Sequence, residues 1–205
     1  MQYAIELINK VPVISLGVDR AFLDTCFPGE LMSVGLPVQR KFGIPGLKCV
    51  GFGWLKRYSL LDYRKRALIT SDAQIETLVQ GEVLLGMSTI GRMGPYPSIE
   101  LTVNGIKMNP FIDTGAALSY VPTLPQGVQC RGELHDSDWG GNVWVTSIYR
   151  VPCSFDGHGF DVEFGDAERN PHVPAEGVVG FDFFDHFGVL IDKVGKRVSY
   201  RVNKN

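Results

Sequence analysis

The chain has 205 residues, enough for one domain or two small lobes. Apolar residues make up 44% and charged residues 20%, so a real core is available, while a net charge of -2 gives no electrostatic pull toward nucleic acid or an anionic membrane. No apolar run approaches the length of a membrane span, and the opening MQYAIELINK lacks the basic and apolar stretches of a signal peptide, so a cytoplasmic setting is expected.

Short strands dominate the pattern in chain order, as 24 glycines and 12 prolines favour. YAIELI (3–8) and VPVISL (11–16) read as strands. FLDTC (22–26) then ends an apolar run on a carboxylate, and CVGFGWLKRY (49–58) sets two glycines beside a tryptophan. Arg64-Lys65-Arg66 reads as a solvated edge. SDAQIETLVQ (71–80) opens with the Ser71–Gln74 spacing of a capping box, and Gly81 is placed to end a helix. GRMGPYPS (91–98) is a turn-rich join. In SIELTVNGIKM (98–108), Asn104-Gly105 between two alternating runs is a strong hairpin signal. SDWGGNVWV (137–145) again pairs two glycines with a tryptophan and runs into the strand NVWVTSIY (142–149); VLID and RVSYRV close the chain around a VGK turn. Cys26, Cys49, Cys130 and Cys153 lack zinc-site spacing; a disulfide framework is possible, but free thiols in a reducing compartment fit better. The four histidines are scattered, so no metal or other cofactor is expected.

NPFIDTGAALSYVP (109–122) poses a physical problem, because it drives Asp113 into an apolar surround. A buried charge costs several kcal/mol unless it is paired, hydrogen-bonded or used. Its partner is sought in a repeat: FLDTC (22–26) echoes FIDTG (111–115). SDAQIETLVQGEVLLG (71–86) also lies ungapped against GDAERNPHVPAEGVVG (165–180), with identities at Asp72/Asp166, Ala73/Ala167, Val79/Val173, Glu82/Glu176 and Gly86/Gly180. Pro171 and Pro174 in the second copy argue against a helix in the first. The halves are expected at 1–93 and 94–205, with Leu84-Leu85-Gly86 and Val178-Val179-Gly180 passing beside the two Asp-Thr loops.

These marks resemble the pepsin/retropepsin-like aspartic proteases: an apolar pair, Asp-Thr-Gly-Ala, a second apolar run, and later an apolar-apolar-Gly. The chain looks like two retropepsin-sized units fused in one. The resemblance implies an all-β fold of two similar β-barrel-like lobes related by a pseudo-twofold axis. QYAIELI, the join near 90–100 and RVSYRV would meet in an interlobe sheet. It implies a catalytic pair, Asp24 and Asp113, sharing one proton and activating a water for peptide-bond hydrolysis. Thr25 and Thr114 would grip each other, and Cys26 and Gly115 would offer their amides to the pair. Glycine-rich flaps would lie at Gly51-Phe52-Gly53-Trp54 and at Trp139-Gly140-Gly141. A monomeric endopeptidase acting on peptide or protein substrates follows, with no cofactor and neither nucleic acid nor membrane as a partner.

The pattern departs from the family in two places. Cys26 stands where the first loop should carry glycine, and its side chain is expected to turn away from the carboxylates, toward Phe27 and the VLLG run. Phe27 and Ala116 stand where a serine hydroxyl would stabilise an ionised carboxylate, which leaves the pair more basic. These departures keep a second reading open, a non-catalytic module that clamps a peptide strand, and a third, a β-rich structural domain carrying a chance motif.

Overall fold

The computed structural model describes residues 1–75, 80–89, 95–124, 126–138, 142–166 and 177–203. In chain order it contains β1 (Gln2–Ala4), β2 (Glu6–Ile8), β3 (Val11–Leu16), β4 (Asp19–Asp24), β5 (Leu31–Ser33), α1 (Leu36–Phe42), β6 (Lys48–Gly51), β7 (Tyr58–Asp62) and β8 (Ala67–Ser71). Then follow β9 (Gly81–Leu84), β10 (Gly86–Thr89), β11 (Pro95–Ser98), β12 (Leu101–Val103), β13 (Ile106–Met108), β14 (Phe111–Ile112) and β15 (Ser119–Val121). The chain ends with β16 (Cys130–Ser137), β17 (Val143–Phe155), β18 (His158–Asp166), β19 (Val178–Val179), α2 (Phe181–His186), β20 (Phe187–Asp192) and β21 (Arg197–Val202).

These strands form three sheets. The order β2-β3-β4-β6-β5 makes the sheet of the N-terminal half, and β10-β11-β14-β19-β15-β18-β17-β12-β13, with β16 on β17, makes that of the C-terminal half. Between them lies a six-stranded sheet in the order β1-β8-β7-β20-β21-β9. Its two central hairpins, β7-β8 and β20-β21, meet antiparallel, Leu61 facing Val189 and Tyr58 facing Asp192. β1 and β9 flank them at opposite edges, so the sheet has matching halves about a central two-fold. The Asn104-Gly105 turn has positive φ at both residues, as does Asn9-Lys10 between β2 and β3, the twist that two-residue hairpins require.

One apolar core runs through both halves. Leu23, Val50, Phe52, Leu61 and Leu68 from the first pack with Ile112, Val179, Phe183, Val189 and Val198 from the second. Phe155, Phe183, Phe187 and Tyr200 meet at ring-centroid distances of 4.9 to 5.8 Å, mostly edge on, the geometry aromatic quadrupoles favour. Ion pairs bridge the halves: Arg64 with Asp185 at 2.8 Å, Lys10 with Glu163 at 2.9 Å, and Arg201 with the buried Asp62. All four cysteines are free, and among the described residues no cluster of His, Cys, Asp or Glu is placed to hold a metal. No described helix is long and apolar enough to cross a membrane.

Several expectations are corrected. QYAIELI is two strands, because Ile5 is buried and its amide turns to the Arg66 carbonyl. Of the join near 90–100, the described residues 95–100 contribute nothing to the central sheet: β11 pairs β10 and β14 instead, and β9 fills the expected place beside β21. Leu84-Leu85-Gly86 does not pass beside the first Asp-Thr loop. Leu84 ends β9 at 79% exposure, and the strand beside that loop is β6. The capping-box residue Ser71 ends β8 and accepts a bond from the Ala73 amide, while residues 76–79 of the considered helix lie outside the described residues.

β6 is wedged against loop backbone, which generates a test. A Cβ at Gly51 would be driven into the carbonyl oxygens of Phe27 and Gly29, and one at Gly180 into that of Ala116. Backbone cannot swing aside as a side chain can. Gly51→Ala and Gly180→Ala should each cost about 3 kcal/mol or more in chemical denaturation. A glycine at a mobile hairpin tip would accept alanine within about 1 kcal/mol.

Candidate active site

Each Asp-Thr loop is built by the same device, a later strand inserted between the strands before and after the loop. In the C-terminal half β19 runs parallel to β14, Ile112 beside Val179, and antiparallel to β15, Tyr120 beside Val178. The Asp113 amide donates to the Val179 carbonyl at 2.9 Å, and the Phe181 amide to the Ala116 carbonyl at 3.0 Å. In the N-terminal half β6 does this work, parallel to β4 with Asp24 beside Gly51, and antiparallel to β5. The Phe52 amide donates to the Phe27 carbonyl at 2.7 Å, the counterpart of the Phe181 bond. Cys49-Val50-Gly51-Phe52 is therefore the partner of Val178-Val179-Gly180-Phe181.

Two buried threonines lock the loops together. The Thr25 hydroxyl accepts from the Thr114 amide at 3.0 Å and donates to the Ile112 carbonyl at 2.5 Å. The Thr114 hydroxyl accepts from the Thr25 amide at 3.1 Å and donates to the Leu23 carbonyl at 2.9 Å. Four polar groups that burial would otherwise orphan are satisfied by one reciprocal set of bonds.

The grip brings the two carboxyls into hydrogen-bond contact. Asp24 Oδ1 accepts from the amides of Cys26 at 2.8 Å and Phe27 at 3.0 Å, and Asp113 Oδ1 accepts from the Gly115 amide at 2.8 Å. Burial raises both pKa values above 3.8. For Asp24 the rise is opposed by bonds from Asp113 and the two amides; for Asp113 it is reinforced by the charge of Asp24, so Asp113 rises further. Two carboxyls so placed cannot both ionise cheaply, so one proton is shared between them over the range between the pair's two ionisations. Gly115 permits this approach, since a Cβ there would stand 2.9 Å from Asp24 Cγ.

Cys26, at the place matching Gly115, does carry that side chain. It is half-buried and packs on the cluster of Tyr96, Phe111, Leu118, Tyr120 and Val178, not on a Phe27 and VLLG pocket. Its thiol interacts with Asp113, and burial, followed by the charges of the two aspartates, pushes its pKa well up. Cys26 is accordingly a neutral donor beside the pair rather than a nucleophile.

The two expected flaps fare differently. Gly51 and Phe52 are buried in and just beyond β6, Gly53 donates its amide to the Gly29 carbonyl, and Trp54 packs its ring 5.3 Å from that of Tyr3. This stretch supports the Asp24 loop from behind and forms no hairpin tip. Between Asp24 and Gly51 stand only β5 and α1. In the C-terminal half β16 and β17 pair as a long hairpin with Ser137 opposite Val143; Trp139, Gly140 and Gly141 lie outside the described residues. Sequence reading missed the side chains that seat this hairpin. Trp144 donates its indole N–H to the Tyr120 hydroxyl at 3.3 Å, and Tyr120 donates to Asp136 Oδ2 at 2.6 Å. A polar Tyr120 seven residues after Asp113 in an apolar run was the available signal.

The chain is similar in structure to an aspartic proteinase from Irpex lacteus, with a TM-score of 0.58 and 10% identity over 100% of this chain and 97% of that one. It is also similar to a retropepsin-like aspartic protease from Rickettsia conorii, with a TM-score of 0.40 and 17% identity over 58% of this chain and 90% of that one. No protein-family model matches the sequence, and no curated protein matches it. The first likeness covers both halves, and this chain has the all-β fold of the pepsin/retropepsin-like proteins.

The grip and the proton each yield a test. Thr25→Val leaves the Thr114 amide and the Ile112 carbonyl buried without partners, and should cost about 2–4 kcal/mol in denaturation, whereas Thr25→Ser should recover most of it. Folding raises the pKa of Asp113, so the folded chain holds that proton more tightly than the unfolded chain. The stability it contributes is full below pH 3.8 and is lost as pH rises through the folded-state value. Wild-type Tm should therefore fall as pH rises above 3.8 toward the raised folded-state value, and this group's share of the fall should vanish in Asp113→Asn.

Proposed function

We propose that the chain is an aspartic-type endopeptidase. The observation that carries this reading is the pair of buried carboxyls, Asp24 and Asp113, held in hydrogen-bond contact by the threonine grip. A scaffold kept only for packing would gain by replacing two such groups with apolar ones. In the proposed reaction the ionised Asp24 takes a proton from a water lodged between the carboxyls, and that water attacks the scissile carbonyl carbon. Asp113 gives its proton to the carbonyl oxygen, so the tetrahedral intermediate forms without a separated charge. The proton on Asp24 then passes to the leaving amine as the C–N bond breaks, while the ionised Asp113 takes a proton back from one hydroxyl of the intermediate, so a neutral carboxylic acid leaves and the pair again holds one proton. Peptide or protein is the substrate, and no metal or covalent intermediate is required.

Both aspartates come from one chain, so a monomer holds a complete site, and the two halves read as fused retropepsin-like units. Four free thiols fit a reducing cytoplasmic compartment. One observation favours a second reading, a peptide-binding module without turnover: Cys26 brings a thiol close to the carboxyl pair, its Sγ 3.9 Å from the Ile112 carbonyl, where the other loop has only Gly115.

Incubation with a random peptide library, with and without a statine-type inhibitor, separates the two. Cleavage that the inhibitor stops is expected, and Asp24→Asn and Asp113→Asn should each abolish it, by at least about 1000-fold, while the fold persists. Cys26→Gly should stay within about tenfold of wild type. A protein inert both as wild type and as Cys26→Gly, yet binding peptides, is the module. The upper limit of activity is the loss of the Asp113 proton, which burial and the Asp24 charge push up, so the optimum should lie at weakly acidic to neutral pH. Ala116→Ser, restoring a hydroxyl that stabilises the ionised form, should move it downward.

A further inference from the structure

The central six-stranded sheet sends one face into the core and leaves the other outside. Leu61, Leu68, Val189 and Ile191 are fully buried in the core. The residues that alternate with them, Leu60, Ile69 and Leu190, point the opposite way, are half-buried and join none of the described core clusters. Ile69 lies beside Leu60, and Leu60 beside Leu190, so the three form one apolar row across adjacent strands. Charge is concentrated on the same sheet. Its two central hairpins, residues 56–71 and 187–202, hold nine of the 20 Lys and Arg residues but two of the 22 Asp and Glu residues. The net charge of -2 therefore hides a basic sheet on an otherwise acidic chain. Neighbouring carboxylates pair with some of these cations. Lys65 and Arg66, in the turn after β7, and Lys196, in the turn after β20, are exposed and have no ion-pair partner among the described residues. Because β7 and β20 are antiparallel, those two turns lie at opposite ends of the apolar row.

We propose that this face docks an acidic amphipathic helix of a partner protein. β7 and β20 are paired on both sides, so no strand can add between them and only side chains are offered. A helix is the element that buries an apolar stripe on a sheet face. The row spans two inter-strand spacings, about 10 Å, the width of one helix. β7 and β20 are five and six residues long, about 17–20 Å, which matches roughly 12 helical residues. Apolar side chains in the middle turns of such a helix meet the row, and carboxylates in its first and last turns meet the unpaired cations at the two ends. A second copy stacked face to face in near alignment would set basic ends against basic ends. Half-buried side chains in a sheet do not reach into a bilayer, as interfacial insertion requires. Leu23 and Ile112, which precede the two aspartates, pack on the inner side of the sheet, so docking leaves the carboxyl pair free and does not rest on the proposed activity.

The probe is a capped synthetic helical peptide of about 16 residues, with leucines on one face of its middle turns and glutamates in its first and last turns; a twin carries lysines in place of the glutamates. Fluorescence anisotropy with the full chain at about 0.05 M salt should show the acidic peptide binding at least about tenfold more tightly than its twin, and about 0.5 M salt should remove most of that difference. Leu60→Thr with Leu190→Thr, which keeps strand propensity, should weaken binding about fivefold or more. So should Lys65→Glu with Arg66→Glu, which leaves the apolar row untouched. A statine-type inhibitor should leave the binding unmoved, since the face lies away from the cleft. Equal binding of the two peptides overturns the proposal, as does binding that neither double variant weakens or that the inhibitor displaces. Sedimentation with phosphatidylcholine vesicles containing about 20% phosphatidylserine, lost in Lys65→Glu with Arg66→Glu while the peptide stays unbound, overturns it in favour of a membrane surface. Dimerisation that Leu190→Thr abolishes, with no peptide bound, overturns it in favour of a second copy.

Discussion

The halves meet around two threonine hydroxyls that have only each other's backbone to bond. Each is fully enclosed, and each has one amide and one carbonyl of the opposite loop as partners. Neither loop can satisfy its own polar groups, so neither is complete without the other. That mutual dependence sets the spacing of the carboxyls, because each Asp directly precedes its threonine. The proton shared by the pair is then a consequence of geometry: two aspartates fixed in a dry place cannot both ionise cheaply. The six-stranded sheet, with Asp62 and Arg201 paired across its middle, holds the same relation at the opposite end of the interface.

The halves solve one backbone problem with unequal lengths of chain. From Asp24 to the inserted strand's glycine, Gly51, the path contains a short strand and a short helix; from Asp113 to Gly180 it contains the whole β16-β17-β18 excursion. Both routes deliver a strand to the same place beside the loop. The extra chain of the second half includes the β16-β17 hairpin, which α1 of the first half meets through Lys41, bonded to Asp136 and Ser137.

The two Asp-Thr loops that the structure brings together are legible in the sequence because their motifs are local. Asp24, Thr25, Asp113 and Thr114 sit in five-residue motifs whose meaning does not depend on distant register. What failed depended on choosing among weak apolar matches. LLG at 84–86 and VVG at 178–180 align well along the sequence, yet Leu84 is exposed on β9, and the buried run that fits beside β4 is Cys49-Val50-Gly51. Gly51 and Gly53 suggest, in sequence, the freedom of a moving tip; in the fold they serve close packing against the carbonyls of the Phe27–Gly29 turn. Lys41 and Asp136 carry no motif, and only the folded chain brings them together across 95 residues.

A last pair of positions shows how far the side chains have diverged on a shared backbone. Tyr63 follows β7 and Lys193 follows β20, at matching points of the central hairpins. Lys193 reaches into the first half and donates to the carbonyls of Phe52 and Leu55 at 2.9 and 2.7 Å, with its ammonium 4.8 Å from the centre of the Phe52 ring. Tyr63 reaches into the second half, stacks on Phe184 at 5.1 Å and meets the tilted ring of Phe181 at 6.0 Å. The turn after β6 leaves carbonyls turned inward, so a cation is useful there even though burial lowers its pKa. On the other side α2 offers aromatic rings in place of free carbonyls, and a ring is the better filler. The Tyr63 hydroxyl, buried with no hydrogen-bond partner among the described residues, is the cost of that choice, about 1–3 kcal/mol against the gain of two ring contacts. Each side chain answers the segment behind the opposite loop, so the loops are braced crosswise, the first by the second half and the second by the first.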